Sequence, residues 1–305
     1  MNPLILGFSI LFSITYAKDL QLEILPKQYL NHGAACLDGS PPAIYINKTK
    51  HQPSINKWVI YIKGGGWCVN NTQCLSRATD SLLGSSSNLQ VQQPTFGYGS
   101  SGPIGNDPTK NRFATFNRVM LWYCDGGSFS GNNNDPVPVI DPQTNATKHI
   151  FYRGKRNLDA MLMYLRQRHN LNAATHVLLS GGSAGALAAY LHADYVHSTF
   201  STSTSLLKFK VAPVSGFFLN HATMQHTNIF PSHSRHVFHM MNSTQGVNQQ
   251  CIAAMKNSSP PKDPSNCFFA NYSYAYINSS IFVLNSAVDA YQMKDIFQIP
   301  SKCGK

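Results

Sequence analysis

The 305-residue sequence predicts an α/β fold: a mostly parallel sheet with helices on both faces and loop-rich insertions over the site. Short apolar segments rich in β-branched residues alternate with segments of helical periodicity, which is the pattern of βαβ units. Glycine-rich turns follow several of these strands directly, and hydrophobic residues make up 43% of the chain, enough for a large core. The functional residues of such a fold are expected at the carboxyl ends of the strands.

The first two strands of the prediction both run into glycine-rich turns. Residues 59–63 (VIYIK) precede GGGWC at 64–68, and residues 118–123 (RVMLWY) precede CDGGS at 124–128. A helix is predicted at 157–169 because its apolar residues recur at helical spacing. These residues are Leu158, Met161, Leu162 and Leu165.

The second half continues the alternation. An apolar strand at 175–179 is followed by an Ala- and Leu-rich helix at 184–192. Further strands are predicted at 208–212 and at 280–285 (SIFVLN), and the latter is followed by SAVD at 286–289. All of these strands would belong to one sheet.

Residues 18–305 are predicted to form a single domain. Two stretches, 80–112 and 220–275, are polar, aromatic and poor in strand patterns, so we interpret them as insertions over the site. Residues 1–17 are apolar and end in Thr15-Tyr16-Ala17, as in a signal peptide. A membrane anchor is the alternative, but the run is short for a bilayer span.

Secretion is further supported by potential glycosylation sites. Asn followed two residues later by Ser or Thr is an acceptor for glycans in secreted proteins. Seven such positions occur, although an Asn- and Ser-rich chain would contain several by chance. They are Asn47, Asn70, Asn145, Asn242, Asn257, Asn271 and Asn278.

The seven cysteines should form disulfides in an oxidising compartment. Separation along the chain permits two local pairs, and a third pair could join an N-terminal hairpin to a core strand. The expected pairs are Cys68–Cys74, Cys251–Cys267 and Cys36–Cys124. Cys303 is then left without a partner. No C-x-x-C motif occurs and no Cys/His spacing resembles a zinc site, so no metal is predicted.

The chain carries a formal net charge of +11. One interpretation is a generally basic surface, and the other is attraction to an acidic polymer. No basic run is interleaved with aromatic residues, so a nucleic-acid partner is not expected. An acidic polysaccharide fits a secreted protein better.

Gly181-Gly182-Ser183-Ala184-Gly185, between a predicted strand and a predicted helix, fits the G-x-S-x-G motif. A nucleophilic serine needs such a sharp turn, which lifts its hydroxyl above the sheet. Gly181 and Gly185 would let strand and helix approach closely. The motif alone is weak, since a serine on an ordinary turn has the same pattern.

Several stretches together resemble a known family. GGGWC at 64–68, YCDGGSFSG at 123–131 and GGSAG at 181–185 are similar to motifs of the pectin acetylesterase and Notum-like carboxylesterases, which are enzymes of the α/β-hydrolase fold. The similarity extends over most of residues 30–295 and is closer to the pectin acetylesterase branch. The resemblance implies an α/β-hydrolase-like fold, an acyl ester substrate and no metal or cofactor.

The resemblance also implies roles for individual residues. Ser183 matches the nucleophile, and Asp289 matches the acid of the triad. Gly65, Gly66 and Ala184 match the oxyanion hole, in agreement with the N–H donors that a glycine turn and the residue after a nucleophile supply. Two further positions depart from the family pattern: Val214 stands where the family has an acidic residue, and Asn220 where it has Asp.

The third triad residue is not found where the family has it. The family order is Ser, Asp, His, but the sixteen residues after Asp289 contain no histidine. His192 lies nine residues after Ser183, about 13 Å along a helix, which is too far for a hydrogen bond. The histidines between 221 and 239 are expected to be solvated. We therefore expect the domain to be incomplete at its C-terminus, which would explain both the absent histidine and the unpaired Cys303.

Three functions are compatible with the sequence. The leading hypothesis is a secreted serine carboxylesterase that removes acetyl groups from a pectin-like polysaccharide. The second is a catalytically inactive relative that binds glycan, which the absent histidine favours and the retained Ser183 and Asp289 disfavour. The third is an esterase of the Notum type that releases lipid.

Overall fold

The computed structural model describes most of the chain, in five segments. They are residues 20–79, 82–89, 92–93, 102–201 and 205–300. The predicted signal segment 1–17 and Cys303 lie outside these described residues. Among the described helices, none is long and apolar enough to cross a membrane.

Strands and helices alternate through most of the described chain. In chain order they are β1 (Leu20–Ile24), β2 (Ala43–Asn47), β3 (Lys57–Ile62), α1 (Asn71–Ala78), β4 (Gln92–Gln93), β5 (Asn117–Leu121), β6 (Val137–Ile140), β7 (Thr147–Ile150), α2 (Gly154–Arg168), β8 (His176–Gly182), α3 (Ala184–Ser198), β9 (Lys208–Val214), α4 (Ile229–Met240), α5 (Gln249–Asn257) and α6 (Ala270–Ser273). β6 and β7 form a separate two-stranded sheet.

The central sheet has seven strands within the described residues, in the order β4-β1-β2-β5-β3-β8-β9. β5, β3, β8 and β9 are parallel neighbours. β4, β1 and β2 pair in antiparallel fashion, and β2 is antiparallel to β5. Because β1 therefore runs in the same direction as β5, five of the seven strands share one direction. The predicted mostly parallel sheet is confirmed.

Side-chain alternation gives the sheet two apolar faces. In β3, Trp58, Ile60 and Ile62 point to the face on which α2 and α3 pack, whereas Val59 and Tyr61 point to the other face. The sequence predicts helices on both faces of the sheet. On the second face, however, the described side chains that pack against the strands come from loops. These side chains include Leu89, Ile104, Phe113 and Phe116. The turn-rich sequence GNDPTKN at 105–111 does not favour a helix there.

The predicted insertion at 220–275 is largely helical, since it contains α4, α5 and α6. Its Phe230 and Phe238 are buried in one apolar cluster with Leu187 and Tyr190 of α3. The histidine-rich segment is therefore part of a packed helical layer over α3, although the histidines themselves face solvent.

The last predicted strand, 280–285, is only partly formed. It makes isolated parallel bridges to β9 at Ile281 and Leu284. This edge segment still runs parallel to β9, because the N–H groups of Phe282 and Leu284 donate to the carbonyls of Val211 and Pro213 at 2.8 and 3.1 Å. It brings the chain after residue 285 to the carboxyl edge of the sheet.

Three disulfides link the described cysteines, and all three were expected from the sequence. Cys36–Cys124 joins the loop between β1 and β2 to the end of β5. Cys68–Cys74 joins the loop after β3 to α1, and Cys251–Cys267 joins α5 to the turn that precedes α6. Two of the three therefore fasten loops at the carboxyl edge of the sheet.

Removing a disulfide should lower the free energy of unfolding more when the loop that it closes is longer. In the chain-entropy model the 88-residue separation of Cys36–Cys124 is worth about 4–5 kcal/mol, against about 2 kcal/mol for the six-residue separation of Cys68–Cys74. We expect the Cys36→Ser/Cys124→Ser variant to lose more unfolding free energy in guanidinium titrations than Cys68→Ser/Cys74→Ser. The reverse order would contradict the prediction.

Candidate active site

Ser183 lies on a sharp turn between β8 and α3. Its φ is +53° and its ψ is −125°, a conformation that residues with a side chain rarely adopt. Its N–H donates to the Val214 carbonyl at 3.1 Å, and its own carbonyl accepts from Leu187 N–H at 3.0 Å. The side chain is exposed. The strained turn that the G-x-S-x-G motif requires is therefore present, and it holds the hydroxyl at the carboxyl edge of the sheet.

Glycines let three backbones meet around this turn. A Cβ on Gly185 would clash with the carbonyl of Ile62 and lie 2.6 Å from that of Lys63. A Cβ on Gly181 would clash with the carbonyl of Gly185. The end of β3, the end of β8 and the start of α3 are thus in direct backbone contact.

The loop after β3 carries the glycines of the predicted oxyanion hole. A Cβ on Gly64 would lie 3.1 Å from Ser183 Cβ, so this loop faces the turn of Ser183. The next two residues, Gly65 and Gly66, share that loop, and Gly66 has a φ of +67°, which favours glycine. Ala184 begins α3, a 15-residue helix whose first N–H groups have no intrahelical acceptor. Gly64 and Ala184 therefore adjoin Ser183 directly, and the oxyanion role of Gly65, Gly66 and Ala184 stays a prediction.

Asp289 follows the edge segment at the same edge of the sheet. It is half-buried, and its carboxylate accepts a hydrogen bond from Gln292 N–H at 2.9 Å. Asp289 and Ser183 do not follow adjacent strands, because β9 lies between β8 and the edge segment. The chain after α3 crosses over to form β9 before it reaches the position of Asp289.

No histidine of the chain hydrogen bonds to Ser183, and all twelve lie in the described residues. Burial lowers the pKa of His192 to about 3, and its Nε2 pairs with the Phe129 carbonyl at 3.0 Å. The histidines between 221 and 239 are exposed, as expected. In the described part of the chain, no group of three or more His, Cys, Asp or Glu residues is arranged to hold a metal ion.

A buried hydrogen-bond network, which sequence reasoning missed, holds the loop of Gly64, Gly65 and Gly66, called the oxyanion loop below after its predicted role. Tyr123 Oη donates to the Gly66 carbonyl at 2.7 Å and accepts from Ser128 N–H at 3.0 Å. Ser128 Oγ accepts from Trp67 Nε1 and donates to the Ala184 carbonyl, both at 2.8 Å. The only signal for it in the sequence is the position of these residues inside the stretches GGGWC and YCDGGSFSG.

Asp125 organises the turn that contains Ser128. Its Oδ2 accepts N–H bonds from Gly127 at 3.1 Å and Phe129 at 2.9 Å, while its Oδ1 has no partner among the described residues. Burial raises the pKa of this carboxyl to about 6, although the two N–H bonds and the positive charge of Arg77 oppose the rise. The side chain of Arg77 is also buried, and its Nη2 has no partner among the described residues.

Four aromatic rings join the oxyanion loop to the Asp289 loop. The ring centre of Trp67 lies 5.0 Å from Phe218, 5.9 Å from Phe230 and 6.4 Å from Tyr291. Phe218 and Tyr291 are 5.5 Å apart. Because Trp67 follows Gly66 and Tyr291 lies two residues after Asp289, the loop after β3 and the loop of Asp289 are in contact. Centroid distances of this size leave no room for an alkyl chain between the rings.

Comparison with known proteins identifies the family. The model of the Pectinacetylesterase family matches residues 15–304. The chain belongs to the pectin acetylesterase family. Pectin acetylesterase 11 of Arabidopsis thaliana is 32% identical over 265 residues, which cover 87% of this chain and 61% of the relative. The chain thus spans about 61% of the length of this relative.

The Notum branch of the family is more distant. Palmitoleoyl-protein carboxylesterase NOTUM of Mus musculus is 25% identical over 285 residues, which cover 90% of this chain and 51% of the mouse protein. A crystal structure of the Wnt deacylase Notum from Drosophila superposes with a TM-score of 0.71 at 22% identity and covers 91% of this chain and 74% of that chain. The shared fold confirms the α/β-hydrolase-like class, and the identities confirm that the chain is closer to the pectin acetylesterase branch.

The raised pKa of Asp125 should make stability depend on pH. An unfolded aspartate titrates near pH 4, so between pH 4 and 6 the folded chain binds more protons than the unfolded chain, and its stability falls as pH rises. Asp125→Asn carries no charge and should escape this loss. From pH 4 to 7 the unfolding free energy of the variant should rise relative to that of the unsubstituted chain by roughly 2–3 kcal/mol.

Guanidinium titrations at several pH values would measure this difference. Asp135→Asn, which changes an exposed aspartate ten residues away, is the matched control and should follow the pH dependence of the unsubstituted chain. A constant difference between Asp125→Asn and the unsubstituted chain at all pH values would contradict the prediction.

Proposed function

We propose that this chain carries the site of a secreted serine carboxylesterase that removes acetyl groups from a pectin-like polysaccharide. The observation that carries the proposal is the exposed Ser183 on its strained turn, with Gly64, the first residue of the glycine loop, packed against it. Membership of the pectin acetylesterase family supports the reaction class. Relatives named pectin acetylesterase support the substrate class.

In the proposed mechanism, Ser183 Oγ attacks the acyl carbon of the ester. The oxyanion that forms is held by N–H groups of Gly65, Gly66 and Ala184, at the positive end of α3. A histidine takes the Ser183 proton and returns it to the leaving sugar hydroxyl, and Asp289 orients that histidine. Water then hydrolyses the acyl-enzyme by the same route.

None of the histidines in these 305 residues is placed to act as the general base for Ser183. Residues 290–305 contain no histidine, and His192 is buried and paired with the Phe129 carbonyl. A serine hydroxyl without an adjacent base is weakly nucleophilic. We therefore propose that Ser183 is built as a nucleophile but is poorly activated in residues 18–305 taken alone.

Charge and surface chemistry support an extracellular polysaccharide as the substrate. A net charge of +11 favours polyanions such as acidic glycans. Six of the seven potential glycosylation sites are exposed, and Asn47 is half-buried. Three disulfides are characteristic of an oxidising compartment.

One observation favours a second candidate function, a catalytically inactive relative that binds glycan. It is the lack of any hydrogen bond between Ser183 and the twelve histidines of the chain. The intact turn at Ser183 and the intact glycine loop favour the esterase instead. Added imidazole discriminates between the two, because it can replace a missing base but cannot restore a decayed site.

Residues 18–305 should hydrolyse p-nitrophenyl acetate only slightly faster than the Ser183→Ala variant. Imidazole in the buffer should raise the Ser183-dependent part of the rate by roughly ten- to a hundredfold with saturation, below the full effect of a positioned base. Imidazole also hydrolyses this ester directly, so Ser183→Ala at each imidazole concentration is the control. The difference between the two rates is the measured quantity.

Two outcomes would contradict this. Strong Ser183-dependent turnover without imidazole would mean that a histidine of the chain acts as the base, for example one between 221 and 239. A rate that never depends on Ser183, with or without imidazole, would favour the glycan-binding relative.

The acyl group should be short. The rings of Trp67, Phe218 and Phe230 pack against one another with centroids 5.0–6.2 Å apart, so this cluster holds no gap for a long alkyl chain. The imidazole-supported, Ser183-dependent rate should fall at least roughly tenfold from p-nitrophenyl acetate to p-nitrophenyl octanoate, since excluding the chain leaves it in water. Equal or faster turnover of the octanoate would favour the Notum-type function.

A further inference from the structure

We propose that Ser128 is a positioning residue, which holds the oxyanion glycines and Ala184 in register around Ser183. The inference rests on the proposed function, because it concerns the same oxyanion hole. Its physical basis, however, is a set of hydrogen bonds that exist whether or not the chain turns over an ester.

Ser128 has a buried hydroxyl with two well-defined partners on different elements. The residue has no exposed surface, and its φ of +54° is rare for a residue with a side chain. Its Oγ accepts from Trp67 Nε1 and donates to the Ala184 carbonyl, each at 2.8 Å. One hydroxyl therefore links the residue after Gly66 to the first residue of α3.

The backbone of Ser128 makes a second link to the same loop. Its N–H donates to Tyr123 Oη at 3.0 Å, and that phenol donates to the Gly66 carbonyl at 2.7 Å. Burial raises the pKa of Tyr123 far above its usual range, so the phenol stays protonated and keeps donating. The carbonyls of Gly66 and Ala184 are thus both fixed through Ser128.

Fixing these carbonyls is what a preorganised oxyanion hole needs. The N–H groups of Gly66 and Ala184 must point at one oxygen before the charge develops, and the glycine loop has little intrinsic stiffness. In a buried site an unmade hydrogen bond is costly, so rotation of either residue away from the network is opposed. Ser128 therefore acts on the oxyanion through the residues that bind it.

The test uses Ser128→Ala, with Ser130→Ala as the matched control. Ser130 lies in the same turn, is equally buried, and also loses two bonds on truncation, to the Gly127 carbonyl at 2.6 Å and to Ser243 Oγ at 2.8 Å. Neither bond reaches the oxyanion loop or Ala184. Trp67→Phe is a second variant, which keeps an aromatic ring and removes only the indole N–H donor to Ser128.

The first measurement needs no turnover. Amide resonances of Gly65, Gly66 and Ala184 in ¹H–¹⁵N spectra of residues 18–305 should shift, and their hydrogen exchange should accelerate, in Ser128→Ala. The same amides should change less in Trp67→Phe and stay unchanged in Ser130→Ala. Unchanged amides in Ser128→Ala, or equal changes in Ser130→Ala, would overturn the proposal.

The second measurement is the Ser183-dependent, imidazole-supported hydrolysis of p-nitrophenyl acetate. Ser128→Ala should lower kcat by roughly ten- to thirtyfold, less than the loss of an oxyanion donor itself, and leave KM unchanged. Trp67→Phe should act in the same direction and add little to Ser128→Ala, because the two variants break one shared bond. A changed KM with an unchanged kcat would overturn the proposal.

The two measurements separate this inference from the proposed function. If the unsubstituted chain shows no Ser183-dependent hydrolysis in imidazole, the proposed function fails, and the amide measurement alone decides the role of Ser128. If hydrolysis is present but Ser128→Ala leaves kcat unchanged, the positioning role fails while the proposed function stands.

Discussion

Direct contact between backbones around Ser183 is the constraint on which the site depends. Gly64, Gly181, Gly185 and Gly216 each lie where a Cβ would clash with a neighbouring segment. A side chain at Gly64 or Gly185 would separate β3 from β8 or α3, and one at Gly181 or Gly216 would push β8 or the segment after β9 away from α3. The distance between the glycine loop and Ser183 is therefore set by the absence of four side chains, and the hydrogen bonds of the loop refine a geometry that these contacts already impose.

The buried polar groups beneath the loop fall into two kinds. Ser128 and Tyr123 are satisfied at both ends, so their network stiffens the loop without leaving a desolvated atom. Asp125 and Arg77 each keep one buried atom without a partner among the described residues. A buried polar atom without a partner lowers stability. Arg77 Nη2 is one of these atoms and lies beside the glycine loop, 3.3 Å from where a Cβ on Gly65 would stand.

The parallel half of the sheet and its helices follow from local sequence, because β3, β5, β8 and β9 are apolar runs that end in recognisable turns. The antiparallel strands β1 (LQLEI) and β2 (AIYIN) are short and flanked by loops, and the pairing of β2 with β5 is decided by contacts far along the chain. The segment 280–285 has the composition of a strand, yet it forms only two bridges at the sheet edge. Composition does not specify how completely an edge segment pairs.

In the candidate site, too, local sequence reveals some residues, whereas others become apparent only from long-range contacts. Ser183 and its glycines carry a short-range pattern, so sequence reasoning finds them. Ser128 has no such pattern, because its partners Trp67 and Ala184 lie 61 and 56 residues away. Asp289 is found through the family motif, but its separation from Ser183 by β9 follows from the crossover after α3. Long-range hydrogen bonds and strand order are properties of the folded chain.

The disulfides at the carboxyl edge of the sheet couple the assembly of the site to redox conditions. Cys68–Cys74 ends the loop of Gly65 and Gly66, and Cys124 of the Cys36 bridge directly precedes Asp125 and its turn. Glutathione in a reducing cytosol would keep all four thiols free and both loops untethered. A newly made chain would then reach its final site geometry only where thiols are oxidised. The loops on both sides of Cys68 and Cys124 would accordingly be fastened only outside the reducing cell interior.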